Sequence, residues 1–164
     1  MKYLFIALSM LLLSVSAKAS DCEKIYSNAS FYLCAKKNDD DELFPFPVYD
    51  VFAVHIGTGR KSFIANERFI KDVSNVIKVS ETEFFYKAYM GGNSPPSEHR
   101  HVLIIIDGSE VKNAGVFSGY KDIDDNSAPD YFLLSLSEMG SARAYDTYTR
   151  VKLILQNNKL VRGK

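Results

Sequence analysis

Apolar residues in this chain occur in short runs separated by polar, turn-forming segments. Residues 48–56 form one such run, which ends at the glycine-rich turn 57–59. Residues 101–106 form another, and the dipeptide Asp107-Gly108 that follows is a strong hairpin signal. The centre of this second run, 102–106, is wholly apolar and has the length of a buried strand. The pattern therefore predicts strands that pair through short turns.

Further segments are rich in β-branched and aromatic residues, which favour strands. They are residues 76–79, 83–90, 110–120, 131–136, 148–156 and 159–161. The stretch from Lys61 to Asn75 is ambiguous, because Phe63, Ile70, Val73 and Ile77 have a roughly helical spacing while short strands also fit. We favour one helix there. The predicted fold class is α+β: a mostly antiparallel β-sheet with one or two helices, in a single compact domain.

The N-terminal segment has the three parts of a cleavable signal peptide. Lys2 supplies a positive start, residues 3–15 are almost wholly apolar, and Ala17-Lys18-Ala19 places small residues at the expected cleavage site. The apolar run is shorter than the roughly 20 residues of a membrane-spanning helix, although an uncleaved anchor is the alternative. The sequence predicts a signal peptide over 1–19 and one exported domain over 20–164, located in the periplasm or secreted.

Two cysteines, Cys22 and Cys34, follow the predicted cleavage site. An isolated pair in an oxidising compartment usually forms a disulfide. Twelve residues of straight helix would separate the two Cα atoms by about 18 Å, whereas a disulfide tolerates about 7 Å at most. The bond therefore requires a turn between the cysteines, and residues 27–30 are the natural place for it.

The charge balance argues against a nucleic-acid-binding role. The chain has 20 basic and 20 acidic residues, and the predicted signal peptide contains Lys2 and Lys18 but no acid. The exported domain is thus close to neutral, without the strong positive charge that binds phosphate backbones. Hydrophobic residues at 46% and charged residues at 24% are ordinary values for a globular domain.

Two fragments resemble known motifs but lack essential residues. Residues 55–62 resemble a phosphate-binding loop, yet Arg60 stands where a glycine must precede Lys-Ser. The acidic loop from Lys121 to Asp130 begins with the ligand spacing of a calcium loop, but Ser127 and Leu133 replace the required Gly and Glu. Whether this loop binds calcium in a looser manner stays open. No cofactor and no metal site is predicted.

Three histidines are the only candidates for a catalytic or metal-bound imidazole. His99 and His101 would point to the same face of a strand. A small envelope hydrolase would need His55, His99 or His101 to converge with a carboxylate. No complete catalytic set is apparent, so no catalytic residue is assigned and the sequence leans against an enzyme.

The favoured function is a non-enzymatic inhibitor or immunity-type protein that blocks a secreted hydrolase or toxin. The partner would be another protein, bound by loops on a rigid scaffold. The two predicted binding loops run from Gly91 to Arg100 and from Lys121 to Asp130. Their candidate partner-binding residues are Glu98, His99, Arg100, His101, Asp122, Asp124 and Asp125. A structural or surface-assembly subunit is a further alternative.

Overall fold

The computed structural model describes residues 22–38, 47–88, 100–121, 130–138 and 147–163. The predicted signal peptide over 1–19 lies outside these residues, as do most of the two predicted binding loops. Of the described residues, 71% lie in strands and 4% in helix. The α+β prediction is therefore wrong, and the described part of the chain is nearly all β.

Within these ranges, twelve strands form three four-stranded antiparallel sheets, each made of consecutive strands. The first sheet contains β1 Glu23–Ser27, β2 Phe31–Asn38, β3 Val48–His55 and β4 Lys61–Glu67. The second contains β5 Val76–Lys78, β6 Glu83–Lys87, β7 His101–Asp107 and β8 Glu110–Phe117. The third contains β9 Gly119–Lys121, β10 Asp130–Glu138, β11 Thr147–Gln156 and β12 Lys159–Arg162. Each sheet is a meander, because strands that follow one another in the sequence pair with each other.

The helix predicted from Lys61 to Asn75 is replaced by β4 and a single helical turn, α1 Ile70–Val73. A β-bulge explains the error. Ala65 pairs with Val51 but Phe63 pairs with Phe52, so Ile64 is an extra residue in the ladder. Ile64 and Ala65 consequently both face the core, which breaks the alternation expected of a strand. The residues whose spacing looked helical belong to two different elements, since Phe63 lies in β4 and Ile70 and Val73 lie in α1.

The second sheet is the middle layer and is buried on both faces. One face contributes Phe84, Tyr86, Val102 and Ile104 to a core shared with the first sheet. The other contributes Phe85, Leu103 and Ile105 to a core shared with Tyr131 and Leu153 of the third sheet. Burial on both faces explains why β7 is a continuous apolar run in the sequence. The first and third sheets therefore present their outer faces in opposite directions.

Hairpin turns from the three sheets are joined by hydrogen bonds at one end of the molecule. The hydroxyl of Thr58, after β3, donates to the carbonyl of Ser109 in the β7–β8 turn at 2.9 Å. The side chain of Asn158, in the β11–β12 turn, lies close enough to Asp107 to act with Lys112 in lowering the pKa of that carboxyl. Turns of all three sheets therefore meet at that end.

The predicted disulfide is confirmed. Cys22 and Cys34 are bonded, with their Cα atoms 5.5 Å apart, and they connect the start of the described chain to β2. The chain reverses between β1 and β2, where the side-chain oxygen of Asn28 accepts hydrogen bonds from the backbone N–H groups of Ser30 and Phe31. The turn lies where the cysteine spacing required it. None of the helices in the described ranges is both long and apolar enough to cross a membrane.

Candidate functional site

Most of the residues predicted to bind a partner lie outside the described parts of the chain. These are Glu98, His99, Asp122, Asp124 and Asp125. Arg100 and His101 are described, and they stand immediately before and at the start of β7. The structure therefore gives a geometry for two of the seven proposed contact residues.

Arg100 takes part in a buried polar cluster that joins two sheets. Its Nη1 atom lies 3.1 Å from each carboxylate oxygen of Glu67, the last residue of β4. The hydroxyl of Tyr86 in β6 donates to Glu67 Oε1, also at 3.1 Å. Glu67 is 3% exposed and Tyr86 is fully buried. The guanidinium of Arg100 is thus engaged within the protein, which is a structural role for this residue.

Burial is the largest influence on the pKa values of Glu67 and Tyr86 in this cluster. It raises the pKa of Glu67 above its usual value, although the charge of Arg100 and the Tyr86 hydrogen bond act in the opposite direction. Burial and the neighbouring carboxylate together hold the pKa of Tyr86 well above its usual value. The tyrosine consequently stays protonated and acts as a hydrogen-bond donor.

His101 and His55 lie at opposite ends of β7 and do not converge. The ring of His101 is half-buried and stacks on Phe117, with centroids 5.0 Å apart. His55 Nδ1 accepts the backbone N–H of Thr58 at 3.2 Å, and Thr58 bonds to Ser109, beyond the far end of β7. Six residue steps along β7 amount to about 20 Å. A hydrolase site that combines these two histidines is not supported.

Metal ligation has no geometric support in the parts of the chain that the structure describes. Among those residues, no group of three or more His, Cys, Asp or Glu side chains could hold a metal ion. The third histidine, His99, lies outside them.

The outer face of the first sheet carries a different set of exposed groups. We define the aromatic–lysine face as Lys24, Tyr32, Phe52, Lys61 and Phe63. Alternation along the strands places these side chains there. Their neighbours in the sequence, such as Phe31 and Leu33, point inward to the core shared with the second sheet.

Lysine ammonium groups lie over the aromatic rings of this face. Lys61 Nζ is 4.0 Å from the ring centroid of Phe52, and Lys24 Nζ is 4.9 Å from that of Tyr32. Phe63 meets Phe52 edge-on, with centroids 5.8 Å apart, and is 52% exposed. Each ammonium is attracted to the ring beside it, so the face presents positive charge next to an exposed aromatic surface.

The disulfide lies on the same side of the first sheet as this face, because Cys34 pairs directly with Phe52, and it links the segment before β1 to β2. Cys22, Cys34 and Val54 form a small buried cluster, against which Tyr32 and Phe52 pack. Antiparallel hydrogen-bond ladders connect the four strands. The strand pairing and the packing against the disulfide therefore both restrict the movement of the Tyr32 and Phe52 rings. A surface held in this way loses little conformational entropy when a partner binds.

An acidic group at the border of the face is held by two amides. Asp50 Oδ1 accepts hydrogen bonds from Asn66 Nδ2 at 2.6 Å and from Asn38 Nδ2 at 3.3 Å. Asp50 is therefore oriented toward its neighbours on β2 and β4.

The sequence contains a signal for this face, although none of its residues was predicted to bind a partner. Tyr32 and Phe52 occupy alternate positions in β2 and β3, opposite to core residues, as expected for one buried and one exposed sheet face. Lys61 and Phe63 could not be added, because the segment that contains them was predicted to be a helix. If β4 had been recognised as a strand, Lys61 and Phe63 could have been assigned to the same exposed face.

Comparisons with known proteins give no relative from which a function could be transferred. No protein-family model, curated protein or solved structure matches this chain. The function is accordingly inferred from the surface chemistry.

Proposed function

We propose that this protein is an exported, non-enzymatic binding protein of the inhibitor or immunity type. It blocks a secreted hydrolase or toxin by covering part of that protein with the aromatic–lysine face. The observation that supports this proposal is the 52% exposure of Phe63 on a rigid, disulfide-stabilised sheet, beside the ammonium of Lys61.

The chemistry of the face defines the partner surface that would fit it. Exposed aromatic side chains bury large apolar areas and are enriched at the centres of protein interfaces. The lysines at 24 and 61 lie over rings of the same face, so they would meet carboxylates around an apolar patch. The partner is thus a protein with an apolar depression that is bordered by acidic residues.

An extracytoplasmic location supports this role. A disulfide between Cys22 and Cys34 is typical of proteins in an oxidising compartment. The predicted signal peptide over 1–19 would deliver the chain to the periplasm or the medium, where it would meet secreted hydrolases and toxins. Binding there would not require a cofactor or a metal.

A capture experiment with matched variants tests the proposal. The full chain is expressed, and the exported protein is used as bait for envelope and secreted fractions of the source organism. The variant Phe63→Asp introduces a charge into the aromatic–lysine face. Its control is Ile77→Asp, because Ile77 is 49% exposed on a strand of another sheet.

We expect the wild type and Ile77→Asp to capture a hydrolase or toxin that Phe63→Asp does not capture. The activity of that partner should fall in proportion to added wild-type protein and should be unaffected by Phe63→Asp. Failure of the wild type to capture such a protein would refute the proposal. A captured enzyme that stays fully active in a stoichiometric complex would refute it as well.

A further inference from the structure

Charges are distributed very unevenly along this nearly neutral chain. All 20 acidic residues precede Thr147, and the segment from Thr147 to the end contains five basic residues and no acidic one. The basic residues are Arg150, Lys152, Lys159, Arg162 and Lys164. The net charge of the whole chain is near zero and does not reveal this asymmetry. The C-terminal segment, taken alone, is positively charged and attracts anions.

The structure folds this basic segment into the β11–β12 hairpin of the third sheet. Leu153 pairs with Arg162, and Ile154 pairs with Val161. Asn157 and Asn158 form the two-residue turn, with φ values of 50° and 63° as a type I′ turn requires. The backbone of the hairpin is therefore well defined, and the face to which each side chain belongs follows from its register.

The hairpin exposes aliphatic side chains among its basic groups. Ile154 is 42% exposed and Val161, its direct partner across the ladder, is 36% exposed. Leu153 and Leu160 point the other way and pack in the core against the second sheet. Alternation along β11 places Arg150 and Lys152 on the same outward side as Ile154.

One of these cations, the guanidinium of Arg150, lies over an aromatic ring. The Arg150 guanidinium carbon lies 4.7 Å from the ring centroid of Phe132 on β10. The same ring lies closely over Gly119, where an added Cβ would be 2.7 Å from Phe132 Cζ. We define the basic hairpin face as Arg150, Lys152, Ile154 and Val161, with Lys159 at its margin, because Lys159 pairs with Gln156 on the same outward side.

We propose that the basic hairpin face binds an anionic phospholipid surface. Ile154 and Val161 enter the boundary between headgroups and acyl chains, while the surrounding guanidinium and ammonium groups contact lipid phosphates. The exposed apolar groups are aliphatic, whereas the centres of protein interfaces are enriched in aromatic residues. Because the segment has no acidic side chain, none of its side chains is repelled by a negative membrane.

This binding mode goes beyond the proposed inhibitory function and is compatible with it. The third sheet and the first sheet lie on opposite sides of the central sheet. A protein that contacts a membrane through the basic hairpin face would therefore hold the aromatic–lysine face toward the water. The two surfaces can be tested independently.

Vesicle sedimentation tests the proposal. The full-length protein, expressed and recovered as the cell processes it, is mixed with vesicles of phosphatidylcholine alone or of phosphatidylcholine with phosphatidylglycerol. We expect sedimentation only with the vesicles that contain phosphatidylglycerol, and release as salt rises from about 0.1 M to about 1 M. Equal binding to both vesicle types, or no binding to either, would overturn the proposal.

Two variants and a matched control localise the binding. Lys152→Glu with Lys159→Glu should weaken vesicle binding at least about tenfold, since each basic group near a membrane contributes about fivefold. Ile154→Ser with Val161→Thr should weaken it while keeping the charge. Lys71→Glu with Lys87→Glu makes the same change in net charge elsewhere and should bind like the wild type.

Thermal unfolding verifies that each variant is folded before it is compared. If the Lys71/Lys87 control loses as much binding as the Lys152/Lys159 variant, overall charge is responsible and the assignment to this face is wrong. If an acidic protein competes for the hairpin while phosphatidylglycerol vesicles do not bind, the occupant is a protein and the membrane proposal is refuted.

Discussion

Arg100 Nη1 lies 3.1 Å from both carboxylate oxygens of Glu67, and the two residues belong to different sheets. Glu67 ends β4 of the first sheet, whereas Arg100 directly precedes β7 of the central sheet. The carboxylate is almost fully buried at 3% exposure. An ion pair in this position fixes the two sheets relative to each other, and its loss would leave a buried charge.

Arg100→Met should destabilise the protein by about 3 kcal/mol at neutral pH, because it leaves the Glu67 carboxylate buried without its cation. Urea unfolding measures this change. The control is Lys78→Met, which removes an exposed ion pair with Glu81. That change should cost no more than about 0.5 kcal/mol. Similar losses in the two variants would show that the burial of Glu67 does not strengthen its dependence on Arg100.

Protonation of Glu67 should make the free energy of unfolding depend on pH. Burial raises the pKa of this carboxyl in the folded protein above its usual value of 4.5. Between 4.5 and the raised folded value, the folded state retains a proton that the unfolded chain has lost. The contribution of Glu67 to the free energy of unfolding is therefore fully present below about pH 4.5 and decreases as pH rises.

Comparison with Glu67→Gln isolates this contribution, because the glutamine does not titrate. The free energy of unfolding of the wild type minus that of the variant should decrease from pH 4 to neutral pH. A difference that increases over this range would mean that the folded pKa of Glu67 is lowered. Urea unfolding at several pH values gives the answer.

Removal of the disulfide should cost about 3 kcal/mol, because the bond closes a short loop and limits the unfolded chain. The test is Cys22→Ala with Cys34→Ala, followed by urea unfolding. Reduction of the wild type under the same conditions should lower its stability to nearly the value of the variant. A loss below about 1 kcal/mol would indicate that the reduced unfolded chain is already compact in this region.

Gly115 should tolerate substitution poorly. Its φ of 130° is unfavourable for residues with a side chain, and an added Cβ would lie 3.2 Å from Leu160 Cβ. Gly115→Ala should therefore destabilise the contact between β8 and β12 by about 1–3 kcal/mol. The control is Gly163→Ala, where the nearest atoms would be 3.5 Å away. Thermal unfolding should show little change for that control.

Phe63→Asp should leave the fold intact, since half of this side chain is already exposed. We expect a loss of about 1 kcal/mol from reduced strand propensity and lost contact with Phe52. Phe31→Ala removes a fully buried ring and should cost about 3–5 kcal/mol. Circular dichroism and urea unfolding of both variants measure the difference. Unfolding of Phe63→Asp at room temperature would contradict this expectation.

Local patterns in the sequence predicted the strands better than the overall architecture. The apolar run of β7 and the turn signal at Asp107-Gly108 indicated a hairpin, which the structure contains as β7 and β8. The Cys22–Cys34 bond followed from the presence of one cysteine pair in a chain predicted to be exported, and the spacing of the pair required the turn between β1 and β2. The β-bulge at Ile64 was not predictable, because an extra residue in a ladder is defined by the partner strand.

Long-range contacts limited what the sequence could say about the candidate sites. Glu67 and Arg100 are 33 residues apart, and nothing in their local sequence indicates that they meet. The charge of the β11–β12 hairpin was available in the sequence but was lost in the total for the whole chain. Exposure of Phe63 depends on the layer order of the sheets, which strand prediction alone does not give.

The burial of the central sheet on both faces has a consequence for biogenesis. The chain is synthesised from the N-terminus, so the first sheet can cover one face of β6 and β7 before the third sheet exists. The opposite face, with Phe85, Leu103 and Ile105, is only partly covered by Tyr131 of β10 until Leu153 and Leu160 of the last two strands have emerged. A nascent chain that ends before Thr147 would therefore expose apolar surface and be prone to aggregation.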